Sequence, residues 1–370
     1  MRLQGVSYDV GRVMGGNWRP VFDPAVVRRE LSIIKSDLHC NAVRICGLDI
    51  GRLVTAAGMA LELGLEVWLS PEMWDRSPAR TLRYVSAAAA AAEGLRAGRS
   101  GKVVFLVGSE LTLFMQGIVP GRNVAQRMGK SWQLLKEGRH NEPLNAFLAA
   151  AASAVRRVFH GQVSYASLVW EAVDWSLFDF VGIDHYWNAR IKDRYARLLE
   201  PAFGYGKPVV VTEFGFRGYR GAADSTDGMA GDLVDHSLNL GVIAGHLASL
   251  VRSAFHGLPS QPPMRLKEGN YERDEKAQAS GLVDQLGLLE SLGVEGGFVM
   301  TFVSPMAPYD ENPRRDFDMN GYSLVKTLPD GHGASYPDMP WEPKESFRAV
   351  ADYYARKKPI EHGPSRAYDI

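Results

Sequence analysis

The chain is 370 residues long, 46% hydrophobic and 23% charged, an ordinary make-up for a soluble globular protein and a length that suits one large α/β barrel. Lysine plus arginine equals aspartate plus glutamate at 42 each, so charge gives no reason to expect nucleic acid or an anionic membrane as partner. No apolar stretch reaches about 18 residues, which excludes a membrane-spanning helix.

Met1-Arg2-Leu3-Gln4-Gly5 lacks the apolar core of a signal peptide and enters a strand almost at once, so a cytoplasmic location is expected. Eight strand-like segments follow in chain order: Gln4–Val10, Asn41–Cys46, Glu66–Ser70, Val103–Glu110, Gln162–Val169, Phe178–Asp184, Pro208–Glu213 and Gly297–Val303. Most are short, apolar and rich in β-branched residues, as strands buried on both faces are. Helix-length stretches separate them. Asp23-Pro24 places a capping side chain and a first-turn proline before Ala25–Leu38, and Ser77-Pro78 does the same before an alanine-rich helix ending near Arg96. Leu144–Phe159 and Asp232–Phe255 have the apolar spacing of long amphipathic helices. Strands alternating with helices eight times predict a parallel (β/α)8 TIM barrel spanning residues 1–370 as one domain, with a C-terminal extension from about 344 to 370 packing on the barrel.

Four segments exceed ordinary connections: Phe114–His140, Arg217–Asp232, Leu258–Asp274 and Ser304–Pro343. Loops this long inside a compact domain are usually functional. Three of them leave C-terminal strand ends, where barrels of this kind keep their active sites. Cys40 and Cys46 flank one strand, and six extended residues span roughly 20 Å, beyond disulfide reach. Free thiols are expected.

Two strands run out into a glutamate: Val103-Val104-Phe105-Leu106-Val107-Gly108-Ser109-Glu110 and Pro208-Val209-Val210-Val211-Thr212-Glu213. A carboxylate there is out of place as core, because burying an unpaired charge is costly. Counted in order, Glu110 ends the fourth strand and Glu213 the seventh. Two facing carboxylates are the minimum apparatus for cleaving a glycosidic bond. Other acids share the rim: Glu72 and Asp75 after the third strand, Asp9 on the first, Glu171 after the fifth and Asp184 on the sixth. None has the spacing of a dedicated metal motif, so neither metal nor cofactor is expected. Trp18, Trp74, Trp170, Trp175, Trp187 and Tyr186 fall at or just after strand ends, where flat rings could stack on sugar faces.

Together these segments resemble the clan A retaining glycoside hydrolases, which include family 5-like cellulases and mannanases and the β-galactosidases. Val211-Thr212-Glu213-Phe214-Gly215 looks like their nucleophile strand. Asn41-Ala42-Val43-Arg44 resembles the segment whose arginine supports that nucleophile, Asp184-His185-Tyr186-Trp187 the His/Tyr region beside it, and Gly296-Gly297-Phe298-Val299-Met300-Thr301-Phe302 the last strand. The resemblance implies Glu213 as nucleophile and Glu110 as acid/base. It implies Arg44, Ser109, His185, Tyr186, Trp187, Trp74, Glu72 and Met300 as substrate-binding or supporting residues, and a small carbohydrate or glycoside as ligand. Glu110 would then need an apolar or carboxylate-rich setting to hold its proton, one that Phe105, Phe114 or Trp74 could provide. Two positions depart from the pattern: Ser109 stands where the clan has an asparagine bonding the 2-hydroxyl, and Met300 where it has a tryptophan platform. These departures leave two alternatives: a barrel turned to another acid/base reaction, and one that only binds a ligand or partner. Sugar, anomer and oligomeric state are not encoded in any motif.

Overall fold

The computed structural model describes residues 1–13, 16–130, 132–224, 271–328 and 331–356. Eight strands, β1 (Leu3–Asp9), β2 (Ala42–Gly47), β3 (Glu66–Pro71), β4 (Val103–Ser109), β5 (Gln162–Leu168), β6 (Val181–Asp184), β7 (Val209–Phe214) and β8 (Gly296–Val299), pair in sequence order into a closed, all-parallel barrel. Helices α1 (Pro24–Ser36), α2 (Ile50–Glu62), α3 (Pro78–Gly98), α4 (Leu111–Phe114), α5 (Val124–Lys130), α6 (Trp132–Lys136), α7 (Asn141–Arg156), α8 (Tyr195–Phe203), α9 (Glu275–Ser291) and α10 (Glu345–Arg356) fill the connections among the described residues. The expected (β/α)8 architecture is the observed one.

The local signals act as read, with one exception. Asp23 caps α1 by accepting a 2.8 Å bond from the Ala25 amide, with Pro24 in the first turn. Ser77 precedes α3 in extended backbone, but its side chain makes no capping bond, so Pro78 alone marks that start. The segment Phe114–His140 contains two short helices, α5 and α6. The buried Arg127 fastens it to the rim by pairing with Asp75 beyond β3 and donating to the Leu113 carbonyl. After β8 the long loop carries an antiparallel pair, β9 (Val325–Thr327) and β10 (Trp341–Pro343). Helix α10 then returns Tyr354 to bond the Gly5 carbonyl of β1 at 3.1 Å. The expected helix Asp232–Phe255, and most of the excursions around it, lie outside the described residues. Cys40 and Cys46 are buried free thiols, as expected. No described helix is long and apolar enough to cross a membrane.

Period-two alternation sorts side chains between two cores. Outward residues such as Val6, Val43, Ile45, Val67, Leu69 and Phe105 pack against the helices. Inward residues near the strand starts form a plug: Trp68 meets Phe180 and Phe298 at 5.0 and 5.3 Å between ring centroids, over Leu3, Val104 and Val210. Gly5 is what admits the Phe298 ring, since a Cβ there would sit 2.4 Å from its Cδ1. Toward the C-terminal ends the interior turns polar. Ser7, Arg44, Ser70, Asp184 and Thr212 are all buried there.

Alternation breaks where the polar layer begins. Pairing register slips between Leu106 and Ser109 on β4, between Ile183 and Asp184 on β6, and between Val211 and Phe214 on β7. On β7 the consequence is direct. Val209 and Val211 belong to the outer core and Val210 to the plug, so strict alternation would turn Glu213 outward. The slip reverses the phase: Glu213 comes inward and Phe214 joins the outer core.

Candidate active site

Glu213 is 6% exposed and held from three directions. Arg44 of β2 pairs with its Oε1, Arg12 approaches the same oxygen at 3.3 Å, and Tyr186 donates to Oε2 at 2.6 Å. Burial alone would raise its pKa. The two guanidinium charges and the phenol bond overcome that and hold it below the ordinary carboxylate value. Behind it, Glu72 accepts from Arg44 at 3.1 Å and from the Ser70 hydroxyl at 3.1 Å, and lies 3.5 Å from Arg12. Asp9 binds Arg12 at 2.7 Å through Nε and also accepts from the amides of Gly11 and Arg12. Glu72 therefore supports the arginines. Burial leaves its own pKa raised despite them.

Glu110 has the opposite environment. It follows β4 in left-handed backbone (φ 46°), which aims it into the barrel mouth. Its pKa is raised well above the usual range, first by burial and then by the charges of Asp184, Glu213 and Glu171, which Arg44 only partly offsets. Of the settings expected for it, burial among carboxylates is the one observed, and Phe105 takes no part. Phe105 faces outward onto Phe159 at 5.6 Å, whereas Trp74 stacks on Phe114 at 4.4 Å and, with Trp18, lies against the Arg12 guanidinium, 5.8 and 4.8 Å from the two ring centroids. Burial and, after it, the neighbouring carboxylates supply the proton affinity.

Asp184 completes the group. Thr212 donates to it at 2.6 Å and Ser109 at 3.0 Å. Burial, then Glu213, push its pKa to about 8 against Arg44 and these bonds. One oxygen from each of Glu110, Asp184 and Glu213 lies within 4.8 Å of the others, close enough for such a set to ligate a cation. The hydroxyls on Asp184 and the guanidiniums on Glu213 already engage much of that acceptor capacity. The arrangement sets a carboxyl with a raised pKa within 4.8 Å of one with a lowered pKa.

The remaining expected residues divide. Tyr186 and Arg44 are at the site. Ser109 is a buried prop of Asp184. His185 turns away: it stacks on Tyr195 at 3.8 Å, bonds the Tyr195 carbonyl at 2.9 Å, and burial lowers its pKa to about 4. It fixes the strand end that presents Tyr186. Trp187 packs 5.2 Å from Tyr195, half-buried beside Tyr322 and Arg217. Met300 reaches the mouth, its sulfur 3.4 Å from Arg12 Nη2. Glu171 is consumed structurally, bonded by Tyr165, Ser167 and the amides of Thr112 and Leu168.

The sequence reading missed Arg12. Its signal was faint: an arginine three residues after the strand-end Asp9, in a loop where no period applies. Its importance comes from Glu72 and Glu213, 60 and 201 residues away. Tyr322, 5.0 Å from the Tyr186 ring, was missed for the same reason.

No family model matches the chain, and no curated protein does. Solved structures match in fold. A GH113 β-1,4-mannanase superposes with a TM-score of 0.58 at 14% identity, covering 96% of this chain and 99% of its own. The hyperthermostable endo-1,4-β-D-mannanase of Thermotoga petrophila gives 0.52 at 11%, covering 96% and 100%. A calcium-binding mutant of Bacteroides uniformis β-glucuronidase 2 gives 0.53 at 15%, covering 96% of this chain and 34% of the larger enzyme. These structural neighbours are glycoside hydrolases, and this chain shares their (β/α)8 barrel fold.

Proposed function

We propose that this glycosidase-like barrel is a retaining glycosidase. It would act on a β-linked sugar of a small oligosaccharide or glycosylated metabolite. The observation carrying the proposal is the pair Glu110 and Glu213, with oxygens within 4.8 Å and pKa values displaced in opposite directions. Retaining pairs stand about 5–5.5 Å apart, whereas inverting pairs leave about 6.5 Å or more for a water. In the first step Glu213 attacks the anomeric carbon as the glycosidic C–O bond breaks, and Glu110 gives its proton to the departing oxygen. A water then enters, Glu110 takes its proton, and the new C–O bond forms as the ester to Glu213 breaks. An alcohol in place of water would give transfer by the same residues.

Two experiments follow. Incubation with activated 2-deoxy-2-fluoro β-glycosides should trap the glycosyl-enzyme, and peptide mapping should place the adduct on Glu213. An adduct on another residue rejects the assignment. The pH profile of kcat/KM should be a bell. Its acid limb lies below the ordinary carboxylate range, where Glu213 ionises; its alkaline limb lies well above that range, where Glu110 loses its proton. Glu110→Gln should remove the alkaline limb. If that limb persists, Asp184 holds the proton in place of Glu110.

A further inference from the structure

The fully buried arginines of this barrel have carboxylate partners, with one exception among the described residues. Arg12 has Asp9, Glu72 and Glu213; Arg44 has Glu72 and Glu213; Arg19 has Glu30 at 2.9 Å; Arg127 has Asp75. Arg217, 4% exposed, has none: the hydroxyls of Tyr219 and Tyr322 are its only polar side-chain neighbours among the described residues, and its Nε and Nη2 are left without a hydrogen-bond partner. Its flank rests on the Tyr322 ring, 5.4 Å from Cζ. Nε–H and Nη2–H lie on one edge of the guanidinium and point the same way, forming the fork that fits the two oxygens of a carboxylate. A cation buried without a counter-charge is a costly arrangement unless something external supplies one.

The place is specific. Arg217 lies four residues after Glu213 and lines a small cavity with Trp187, Gly215, Phe216, Ala222 and Tyr322. Tyr322 lies against Tyr186, whose hydroxyl holds Glu213. The cavity is thus one aromatic pair away from the reacting centre. We infer that Arg217 is a specificity residue that receives a carboxylate borne by the sugar, making the substrate a β-hexuronide or a similarly acidic glycoside. This inference rests on the glycosidase reading of the same site and narrows its substrate class.

The test compares p-nitrophenyl β-D-glucuronide and β-D-galacturonide with the matching neutral glycosides and a 6-phosphoglucoside. A site built for a polar group rejects the analogue lacking it, so kcat/KM should favour a hexuronide by roughly 100-fold or more. In Arg217→Met that ratio should collapse at least about 50-fold, and Arg217→Lys should retain part of it. Because the readout is a ratio within each variant, partial misfolding does not mimic the effect. A neutral glycoside preferred by the wild type, or a ratio indifferent to Arg217, overturns the inference and leaves the retaining mechanism standing. Preference for the 6-phosphoglucoside overturns the carboxylate assignment. If nothing is turned over, calorimetry with D-glucuronate decides. Binding that is lost in Arg217→Met supports the subsite while the catalytic reading falls; no binding by the wild type overturns both.

Discussion

Glu213→Gln should lower turnover about 10⁵-fold, because a neutral amide cannot form the glycosyl ester. The same substitution should cost little stability. Two guanidiniums, Arg12 and Arg44, face three carboxylates here: Asp9, Glu72 and Glu213. Removing one negative charge leaves the remainder balanced, and Gln can still accept the Tyr186 hydroxyl. Arg44→Met is the informative contrast. It leaves three buried carboxylates to one guanidinium, and breaking a buried pair in this way costs about 3–5 kcal/mol. Denaturant unfolding of both variants, with steady-state rates, checks the pair of expectations. More than about 1% residual turnover in Glu213→Gln would remove it as nucleophile. Equal destabilisation of the two variants would mean that the charge count is wrong.

Glu110→Ala should divide substrates by leaving group. An activated aryl leaving group departs without a proton, so its first step should stay near the wild-type rate. Alkyl glycosides, which need that proton, should lose roughly 10²–10⁴-fold, the range general acid catalysis contributes. The second step also loses its base, so the glycosyl-enzyme should accumulate on aryl substrates. Added azide, which needs no base, should release it as a glycosyl azide of retained configuration. Rates across a series of leaving groups, with product analysis by NMR, read this directly. A loss independent of leaving group would exclude Glu110 as the acid.

Much of this was legible in the sequence, for reasons visible at individual positions. Buried parallel strands are continuous apolar runs, so Val209-Val210-Val211 could be seen, and the chain order of the runs placed Glu110 and Glu213 on the fourth and seventh strands. Arg44 was found through the resemblance of Asn41-Ala42-Val43-Arg44 to a known strand segment. What stayed hidden depends on three-dimensional coincidence. Arg12 sits in a loop, and its partners come from β1, the end of β3 and β7. Asp184 could be seen as an acid, but its neutrality comes from burial and Glu213. Phe105 was wrongly offered as a neighbour of Glu110 because its face follows from strand phase, which puts it among the helices.

Strand phase also bears on how such a molecule can change over time. The three register slips fall where Ser109, Asp184 and Glu213 begin the mouth, and below them the plug keeps its pairing. A residue inserted or exchanged above a slip need not re-phase the strand beneath it. The lower barrel can therefore be inherited unchanged while the upper tier is rewritten one strand at a time.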